Sequence, residues 1–363
     1  MKLHRILAPI LNWLGRLEPR IAPPSGLLII SAGGLGDTVL FSRVVSRYAG
    51  LAVEGERVTL LLRKDAASMG FLFAPQIQIK TVDYGRLRKI GYRLEMFRSL
   101  WAANYRMVVH SDFLRHPDLD EALAFATGAP IRMAMEPRPS PKHHARLQAN
   151  RKRYTRVVDT GGVVQDKILR WVAFANALSG KSEPVPDLRL RISTDTPLRS
   201  IAVLQPFSAV TLKQSPPALW LRIIGALPAD WDILLAGHPK DLERNPEFAA
   251  LLECDRVRFE GAPFKDLAPI LAASKLVVSV DTACVHLAVV MGARTVCLAS
   301  AAYVGEIMPY APQIAPDSMT VFYASCAHEG CLGSCVYTPV RGMYPCVADL
   351  DGDEIEAWVK TNV

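Results

Sequence analysis

VVSVDTACVHLAVVMGARTVCL, residues 277–298, decides how the whole chain is read. The β-branched run Leu276–Val280 ends in Asp281-Thr282. An apolar segment of helical length follows, and a second apolar run, Thr295–Leu298, comes after Gly292. This is the pattern of strand, sharp turn, helix and strand, the βαβ unit of a parallel sheet. In open α/β sheets ligands bind beyond the carboxyl ends of strands, and a helix N-terminus there suits phosphate. Asp281 stands at that junction, and Thr282, Ala283, Cys284 and Val285 would present backbone N–H groups. The chain opens with a second glycine-rich strand-to-helix turn, LLIISAGGLGDTVLFSRVVSRY, residues 27–48. Two such turns, one near each end, predict two nucleotide-fold halves.

A chain of 363 residues suits two domains, each with its own core. Half the residues are apolar, and no run reaches the ~20 needed to span a bilayer. The net charge of +7 favours an anionic partner. Nucleic acid is set aside, because no recognition-helix, RNP or zinc-finger pattern occurs. At the start, MKLHRILAPILNWLGRL places Leu3, Ile6, Leu7, Ile10, Leu14 and Leu17 on one helical face. Lys2, Arg5, Asn12 and Arg16 fall on the other, Trp13 lies at the border, and Pro9 should kink the helix. Asn12, Arg16 and Glu18 interrupt the apolar run, which argues against a secretory signal. The pattern is read as a helix docked on its own domain, with an in-plane membrane anchor as the alternative. Of the seven cysteines, Cys254, Cys284 and Cys297 read as buried thiols. Cys326, Cys331, Cys335 and Cys346 crowd near the C-terminus. In an intracellular chain such a cluster suits a structural zinc or iron better than a disulfide framework.

Strand signals in the first half are Leu27–Ser31, Val58–Leu62, Ile77–Val82 and Met107–His110, separated by helical stretches Thr38–Tyr48, Ala66–Phe73 and Arg86–Trp101. Residues 136–153, Pro-rich and basic, predict a mobile loop. Val164–Leu178 predicts a helix stopped by Gly180. The second half alternates again. Strands are expected at Ile201–Gln205, Asp232–Ala236, Arg256–Phe259, Leu276–Val280 and Thr295–Leu298. Helices are expected at Pro217–Leu227, Lys240–Leu252, Lys265–Ala273, Ala283–Met291 and Asp353–Lys360. The domain limits follow: an amphipathic extension 1–24, an α/β domain 25–181, a linker 182–200 carrying one short strand, a second α/β domain 201–320, and a cysteine-rich tail with a closing helix 321–363.

Four motifs carry candidate chemistry. Gly33-Gly34-Leu35-Gly36-Asp37 follows a buried strand and opens a helix, a place for close approach to a ligand. It is neither the dinucleotide fingerprint nor a Walker loop. Spacing alone favours Asp37 as a helix cap over a catalytic carboxylate. Lys213, on a loop after a strand, can hold a diphosphate or simply be solvated. Asp241, in Gly237-His238-Pro239-Lys240-Asp241, can accept ribose hydroxyls or cap its helix. His286, one turn into the helix after Asp281, can meet a phosphate or be a packed core histidine.

In this order and spacing the motifs resemble those of glycosyltransferase family 9, the heptosyltransferases of bacterial lipopolysaccharide assembly. The likeness runs over residues 27–310. It rests on the GGLGD turn within Ala32–Phe41, the Lys213 loop ahead of a helix with Trp220, the turn Gly237–Asp241, and the block Asp281–Ala288. The chain departs from the family pattern at three places: Ala283 and Cys284 replace a glycine and a variable residue, Ala299-Ser300 replaces phenylalanine-glycine, and Gln214-Ser215-Pro216-Pro217 follows the lysine.

The resemblance implies an α/β protein of GT-B architecture, two Rossmann-like domains with parallel sheets facing across a cleft. It implies an inverting transfer, with Asp37 as the base that takes the acceptor proton. Lys213 and the N–H groups of Thr282, Ala283, Cys284 and Val285 would hold the leaving diphosphate, with Asp281 at the strand end. His286 would shape the phosphate site, and Asp241 would hold the donor's ribose or base. The donor expected is a nucleoside-diphosphate sugar, ADP-heptose first, with no catalytic metal. Asp351-Gly352-Asp353 is read as a helix cap. The acceptor expected is an anionic glycan or glycolipid at the inner face of the cytoplasmic membrane. Basic stretches suit it: Arg138, Lys142, Arg146, Arg151, Lys152, Arg153 and Arg156, and Arg86, Arg88, Lys89, Arg93 and Arg98. A protein acceptor such as an autotransporter, and a catalytically silent binding protein of the same architecture, are the alternatives. The sequence fixes no oligomeric state.

Overall fold

The computed structural model of the protein describes residues 7–17, 19–190 and 197–363. The chain divides into two compact units, Met1–Pro184 and Val185–Val363. Unit 1 holds β1 (Leu27–Ser31), β2 (Val58–Arg63), β3 (Ile77–Val82), β4 (Met107–His110), β5 (Ile131–Met135) and β6 (Arg156–Val158), in the order β3-β2-β1-β4-β5-β6. Unit 2 holds β7 (Arg199–Gln205), β8 (Asp232–Ala236), β9 (Val257–Glu260), β10 (Ser274–Val280), β11 (Thr295–Leu298) and β12 (Met319–Phe322), in the order β12-β11-β10-β7-β8-β9. Every pairing is parallel. Counted from the first strand of each unit, both sheets are 3-2-1-4-5-6, the doubly wound order. The switch point lies between β1 and β4 in unit 1 and between β7 and β10 in unit 2. Helices cover both faces of such a sheet, so its central strands are apolar throughout and not alternating. All five residues of β1 are buried, as are six of the seven in β10.

The nine strands expected in the two α/β domains are present at nearly their expected limits, and the short strand expected in the linker overlaps residues 191–196, which lie outside the described residues. β5, β6 and β12 were not anticipated, and the reason is physical. All three lie toward the sheet edges, β6 has only three residues, and β5 carries Arg132 within the run IRMAM. The segment expected as a mobile loop is a correction: it holds the helix His144–Arg151. Leu147 is buried there, Asn150 donates to Glu121 Oε2 at 2.7 Å, and Arg146 and Arg151 pair with Asp118 and Glu136. Arg93, expected on a basic helix face, is fully buried and donates to the Asp118 carbonyl at 2.7 Å. The expected helix Lys240–Leu252 is broken into Pro239–Arg244 and a 3-10 turn, Pro246–Glu253. Asn245 is pushed out of helical geometry ahead of Pro246. Cys284 and Cys297 are buried as expected, whereas Cys254 is half-buried.

The N-terminal helix, Ala8–Leu14, has Pro9 in its first turn, where proline starts a helix instead of kinking it. It docks on unit 1 through Leu11, which joins the core around Met96, Phe97 and Leu100. A Cβ on Gly15 would stand 3.1 Å from that of Phe97, which explains the glycine at this contact. The expected apolar face is therefore corrected: Leu11 turns inward, and Ile10, Trp13 and Leu17 are exposed. Leu3, Ile6, Lys2, Arg5 and Glu18 lie outside the described residues.

In unit 2 the closing helix, Gly352–Asn362, buries Ile355 and Val359 against the helix Pro217–Ala226. Asp351 caps it by accepting from the N–H groups of Asp353 and Glu354, as expected of Asp-Gly-Asp. Trp220 is completely buried in this core, and its Nε1 has no hydrogen-bond partner. Trp220→Ala should cost about 3–5 kcal/mol in urea unfolding. Trp220→Phe should cost distinctly less, because it gives up volume but no hydrogen bond.

The core of unit 1 contains polar groups beneath the β1/β4 switch point. The Arg115–Glu121 pair is fully buried at 2.9 Å. Beside it, His110 Nε2 lies 3.4 Å from Asp120 Oδ2, and Asp112 Oδ2 accepts from the Ala32 N–H at 2.6 Å. Burial pushes Asp112 up to about 6, with the charges of Asp120 and Asp37 adding and His110 and the Ala32 N–H opposing. Burial pushes Asp120 up to about 7 against backbone hydrogen bonds and Arg115. Burial brings His110 down to about 4. The two carboxyls stabilise the fold most when protonated, and that contribution is lost as pH rises through about 6 to 7. His110 acts oppositely: its contribution is present above 6.5 and lost as pH falls through about 4. Asp120→Asn removes one of the two carboxyls, leaving Asp112 and His110 to offset each other. Relative to the parent, this variant should gain stability as pH rises from about 4 to 6 in chemical denaturation, by on the order of 1 kcal/mol per pH unit.

Candidate active site

In unit 1 the chain leaves β1 and turns sharply into the helix Leu35–Phe41. A Cβ on Gly33 would stand 2.5 Å from that of Asp37, so only glycine fits there. Gly34 is the extended N-cap, with open space above it, and Gly36 lies in the first helical turn. Asp37 Oδ2 accepts from the Gly34 N–H at 2.9 Å, so this carboxylate does cap its own helix. Its other oxygen, Oδ1, accepts from Lys167 Nζ at 2.5 Å. With side chains 22% and 29% exposed, Asp37 and Lys167 both reach solvent. The cap and the catalytic readings are thus compatible, since a carboxylate oxygen carries two lone pairs.

Lys167 gave no sequence signal as a partner of Asp37. It opens the helix Lys167–Ser179, whose N-cap, Asp166, accepts from the N–H groups of Ile168 and Leu169. That helix is seated by Trp171, which donates from Nε1 to the Ser111 carbonyl at 2.9 Å. Trp171 also accepts, through its carbonyl, from the Tyr48 hydroxyl at 2.7 Å. A second unforeseen group is Asp112, from the loop after β4, which holds the Ala32 N–H at the root of the glycine turn.

In unit 2 the β7/β10 switch point gathers Lys213, Asp281 and Thr282. Lys213 closes a 3-10 turn, Thr211–Lys213, and its ammonium lies 2.9 Å from Asp281 Oδ2 and 4.1 Å from the centre of the Tyr303 ring. Lys213 is 9% exposed and Asp281 6%, so both charges are largely withdrawn from water. Gln205, at the end of β7, accepts through Oε1 from the hydroxyls of Ser279 and Thr282, each at 2.9 Å. This ties the ends of the two central strands together. It also occupies the Thr282 hydroxyl, so Thr282 is the N-cap of the helix Ala283–Val290 without capping it by its side chain. The first-turn N–H groups, including those of Ala283, Cys284 and Val285, have no acceptor within the helix. Burial pushes the Cys284 thiol up to about 12, against a hydrogen bond with Ser279, so it remains a neutral thiol.

His286, one turn further, is buried and shares a 2.5 Å hydrogen bond with the Tyr310 hydroxyl through Nδ1. Asp241 lies beyond the next strand, β8, where its Oδ2 accepts from the His238 N–H at 2.8 Å. Gly237 permits close packing of Phe207, whose ring would stand 2.6 Å from a Cβ at that position. Nothing in the local pattern marks Tyr303 or Tyr310, and Gln205 is visible only as a polar residue ending an apolar strand.

The tail joins unit 2 at the same place. Tyr344 N–H donates to the Leu212 carbonyl at 2.8 Å, and the Gly330 and Leu332 N–H groups donate to Ala301 and Ala302. Cys346 is buried with Tyr344 and Val347, and Cys326 and Cys335 pack against them. Burial raises the Cys346 thiol, a backbone hydrogen bond at Ala301 lowers it, and the nearby Cys326, Cys331 and Cys335 raise it further. The four thiols are therefore neighbours, and none is joined in a disulfide. Among the described residues, however, no group of three or more His, Cys, Asp or Glu side chains is arranged to hold a metal ion.

The sequence model of the family described as glycosyltransferase family 9 (heptosyltransferase) matches residues 123–335, more than half of the chain. Curated proteins offer no sequence match. Several solved structures share the fold. The Escherichia coli heptosyltransferase WaaC, solved with ADP-2-deoxy-2-fluoro heptose, superposes with a TM-score of 0.64 at 19% identity, covering 93% of this chain and 99% of that one. A family 9 glycosyl transferase from Veillonella parvula DSM 2008 gives 0.67 at 15% identity, covering 95% and 100%. The E. coli ADP-heptose lipopolysaccharide heptosyltransferase II gives 0.62 at 14% identity, covering 93% and 98%. Two doubly wound units, a glycine turn ending in Asp37, and a lysine set against the strand end at Asp281 agree with the sequence match, and the chain belongs to glycosyltransferase family 9.

Proposed function

We propose that this glycosyltransferase inverts the anomeric centre as it moves a heptose from ADP-heptose to a bacterial cell-surface glycan, such as lipopolysaccharide core, on the cytoplasmic side of the membrane. The observation that carries the donor half is the buried Lys213–Asp281 pair beside a helix start without a side-chain cap. Ligands of related folds in which ADP or its sugar is bound support an adenosine diphosphate donor.

The diphosphate lies over the N–H groups of Thr282, Ala283, Cys284 and Val285, where the helix dipole favours negative charge. Asp281 fixes the Lys213 ammonium, and Lys213 turns a remaining N–H toward the diphosphate as charge builds on it. His286, oriented by Tyr310, shapes the floor of this site. Asp241, whose Oδ1 lies beside the capping oxygen, accepts from the ribose. In unit 1, Asp37 removes the proton of the acceptor hydroxyl. The acceptor oxygen bonds to the anomeric carbon as the bond to the phosphate oxygen breaks. The proton passes to Asp37, and the electron pair leaves with ADP. Lys167 and the Gly34 N–H hold the plane of the Asp37 carboxylate through this exchange.

Thiolates suit zinc or iron by their softness. The proposed role of a metal at Cys326, Cys331, Cys335 and Cys346 is structural and enters no step above, because the thiols as placed do not form a ligand set.

Asp37→Asn should lower kcat by about 10²–10⁴-fold while leaving the ADP dissociation constant unchanged in calorimetry; near-parental turnover would remove Asp37 from this role. Lys213→Met should weaken ADP binding. Because it strands Asp281, it should be compared with Lys213→Met/Asp281→Asn, which removes both charges and separates lost folding from lost phosphate contact. Protein purified without chelator should carry about one equivalent of zinc plus iron if the tail closes on a metal, and less than ~0.2 equivalents rejects that role.

A further inference from the structure

The carboxyl edge of the unit 1 sheet carries Asp37; its opposite, amino edge carries a different chemistry. A pocket of about 300 Å³ opens there, lined by Arg16, Phe125, Gly128, Arg132 and Arg153. Arg16 follows the N-terminal helix, Phe125 and Gly128 precede β5, Arg132 is near the start of β5, and Arg153 precedes β6. The arginines are held by neutral groups. Arg16 donates to the Phe125 carbonyl at 3.0 Å, and Arg132 donates to the Arg153 carbonyl at 2.7 Å and to that of Ala129. The Arg153 guanidinium lies 3.7 Å above the Phe125 ring. Next to them Arg20 lies 3.5 Å above the Trp101 ring and donates to the carbonyls of Trp101 and Thr127. None of these four makes an ion pair with a described carboxylate. Arginine does not shed its proton, so the pocket keeps its charge at every physiological pH. Burial and mutual repulsion work against the charged groups at Arg16 and Arg153, with Tyr154 and Glu121 opposing at Arg153. Convergent guanidinium groups of this kind are neutralised by an anion with several oxygens, of which a phosphate is the best fit to their planar forks.

The same segment that supplies Arg16 and Arg20 exposes large apolar side chains. Ile10 is 53% exposed, Trp13 64%, Leu17 56% and Ile21 98%. Four large apolar side chains exposed within twelve residues mark an interaction site better than scattered single ones do. Leu11 already anchors the helix on unit 1, so these side chains are not needed to hold it there. Apolar residues with a tryptophan, interleaved with arginines, match a bilayer interface, where rings sit among headgroups and acyl chains begin. Single-stranded nucleic acid fits less well, because Arg20 and Arg153 already cover the Trp101 and Phe125 faces on which bases would stack.

We propose that this edge of unit 1 docks on an anionic phospholipid surface, with Ile10, Trp13, Leu17 and Ile21 entering the interface and the pocket of Arg16, Arg132 and Arg153 receiving a lipid phosphate. This surface lies away from Asp37 on the same sheet, and the inference does not depend on the transferase reading.

The test is co-sedimentation of the full chain with phosphatidylcholine vesicles, with and without phosphatidylglycerol. The chain should pellet with the anionic vesicles and stay largely free with the neutral ones. Each arginine near an anionic surface is worth about fivefold in partitioning, so Arg132→Gln/Arg153→Gln should lower vesicle binding by on the order of tenfold or more. Trp13→Ser should weaken binding and remove the blue shift of fluorescence on adding vesicles. Because Trp13 is exposed, that variant keeps the question open to refutation even if the arginine variant misfolds. Equal pelleting with both vesicle types, no pelleting with either, or parental binding by both variants overturns the proposal. So does stabilisation by inorganic phosphate without vesicle binding, which would assign the pocket to a soluble anion.

Discussion

A parallel strand cannot reach its neighbour without a crossover, and in this protein each crossover lays structure across a face of the sheet. The consequence is severe for polar groups. β1 and β10 have apolar surroundings on both sides, and only their ends meet water. Where crossovers run in opposite directions from one pair of strands, the ends splay and leave room. Both units have that arrangement at β1/β4 and β7/β10, and both place an Asp there. Asp37, Lys213 and Asp281 stand at these strand ends, where the sheet leaves room for polar groups.

Each of those carboxylates is set against a lysine, but in different surroundings. Lys213 and Asp281 are withdrawn from solvent, and removing one of a buried pair costs about 3–5 kcal/mol because the other is stranded. Such a pair behaves as part of the scaffold. Lys167 and Asp37 are open to water, where an ion pair is worth roughly 0–1 kcal/mol. Their contact can loosen and reform at little cost. The fixed pair suits a site that must present charge to a phosphate without rearranging. The loose pair suits a carboxylate that must exchange protons. Gln205 belongs with the fixed pair, since its bonds to Ser279 and Thr282 lock β7 to β10 and leave the following helix start without its side-chain cap.

Local pattern carried much of this fold. Central parallel strands are continuous apolar runs, and glycine and aspartate punctuate the turns, so β1, β2, β4, β7, β8 and β10 could be placed from residues alone. β5 and β6 could not: β6 has three residues, and β5 interrupts its apolar run with Arg132. The helix His144–Arg151 was hidden because its stability comes from distant groups, Glu121 and Asp118, and not from its basic composition. The candidate site divides in the same way. Asp37, Lys213, Asp241 and Asp281 announce themselves by standing at turns. Lys167 does not, because its meaning comes from a residue 130 positions earlier in the chain. The outward turn of Ile10 and Trp13 was likewise set by which side of the helix Phe97 and Gly15 could approach.

The tail bears on how the protein is made. Leu212, which immediately precedes Lys213, is held through its carbonyl by the N–H of Tyr344. The closing helix completes the packing of the helix that contains Trp220. Domains fold as units while the chain emerges from its N-terminus. Unit 1 can therefore be finished while unit 2 still lacks its last braces. The lysine turn gains this support only when Tyr344 has left the ribosome, so a chain that stops before it retains a complete glycine turn and an unbraced lysine turn.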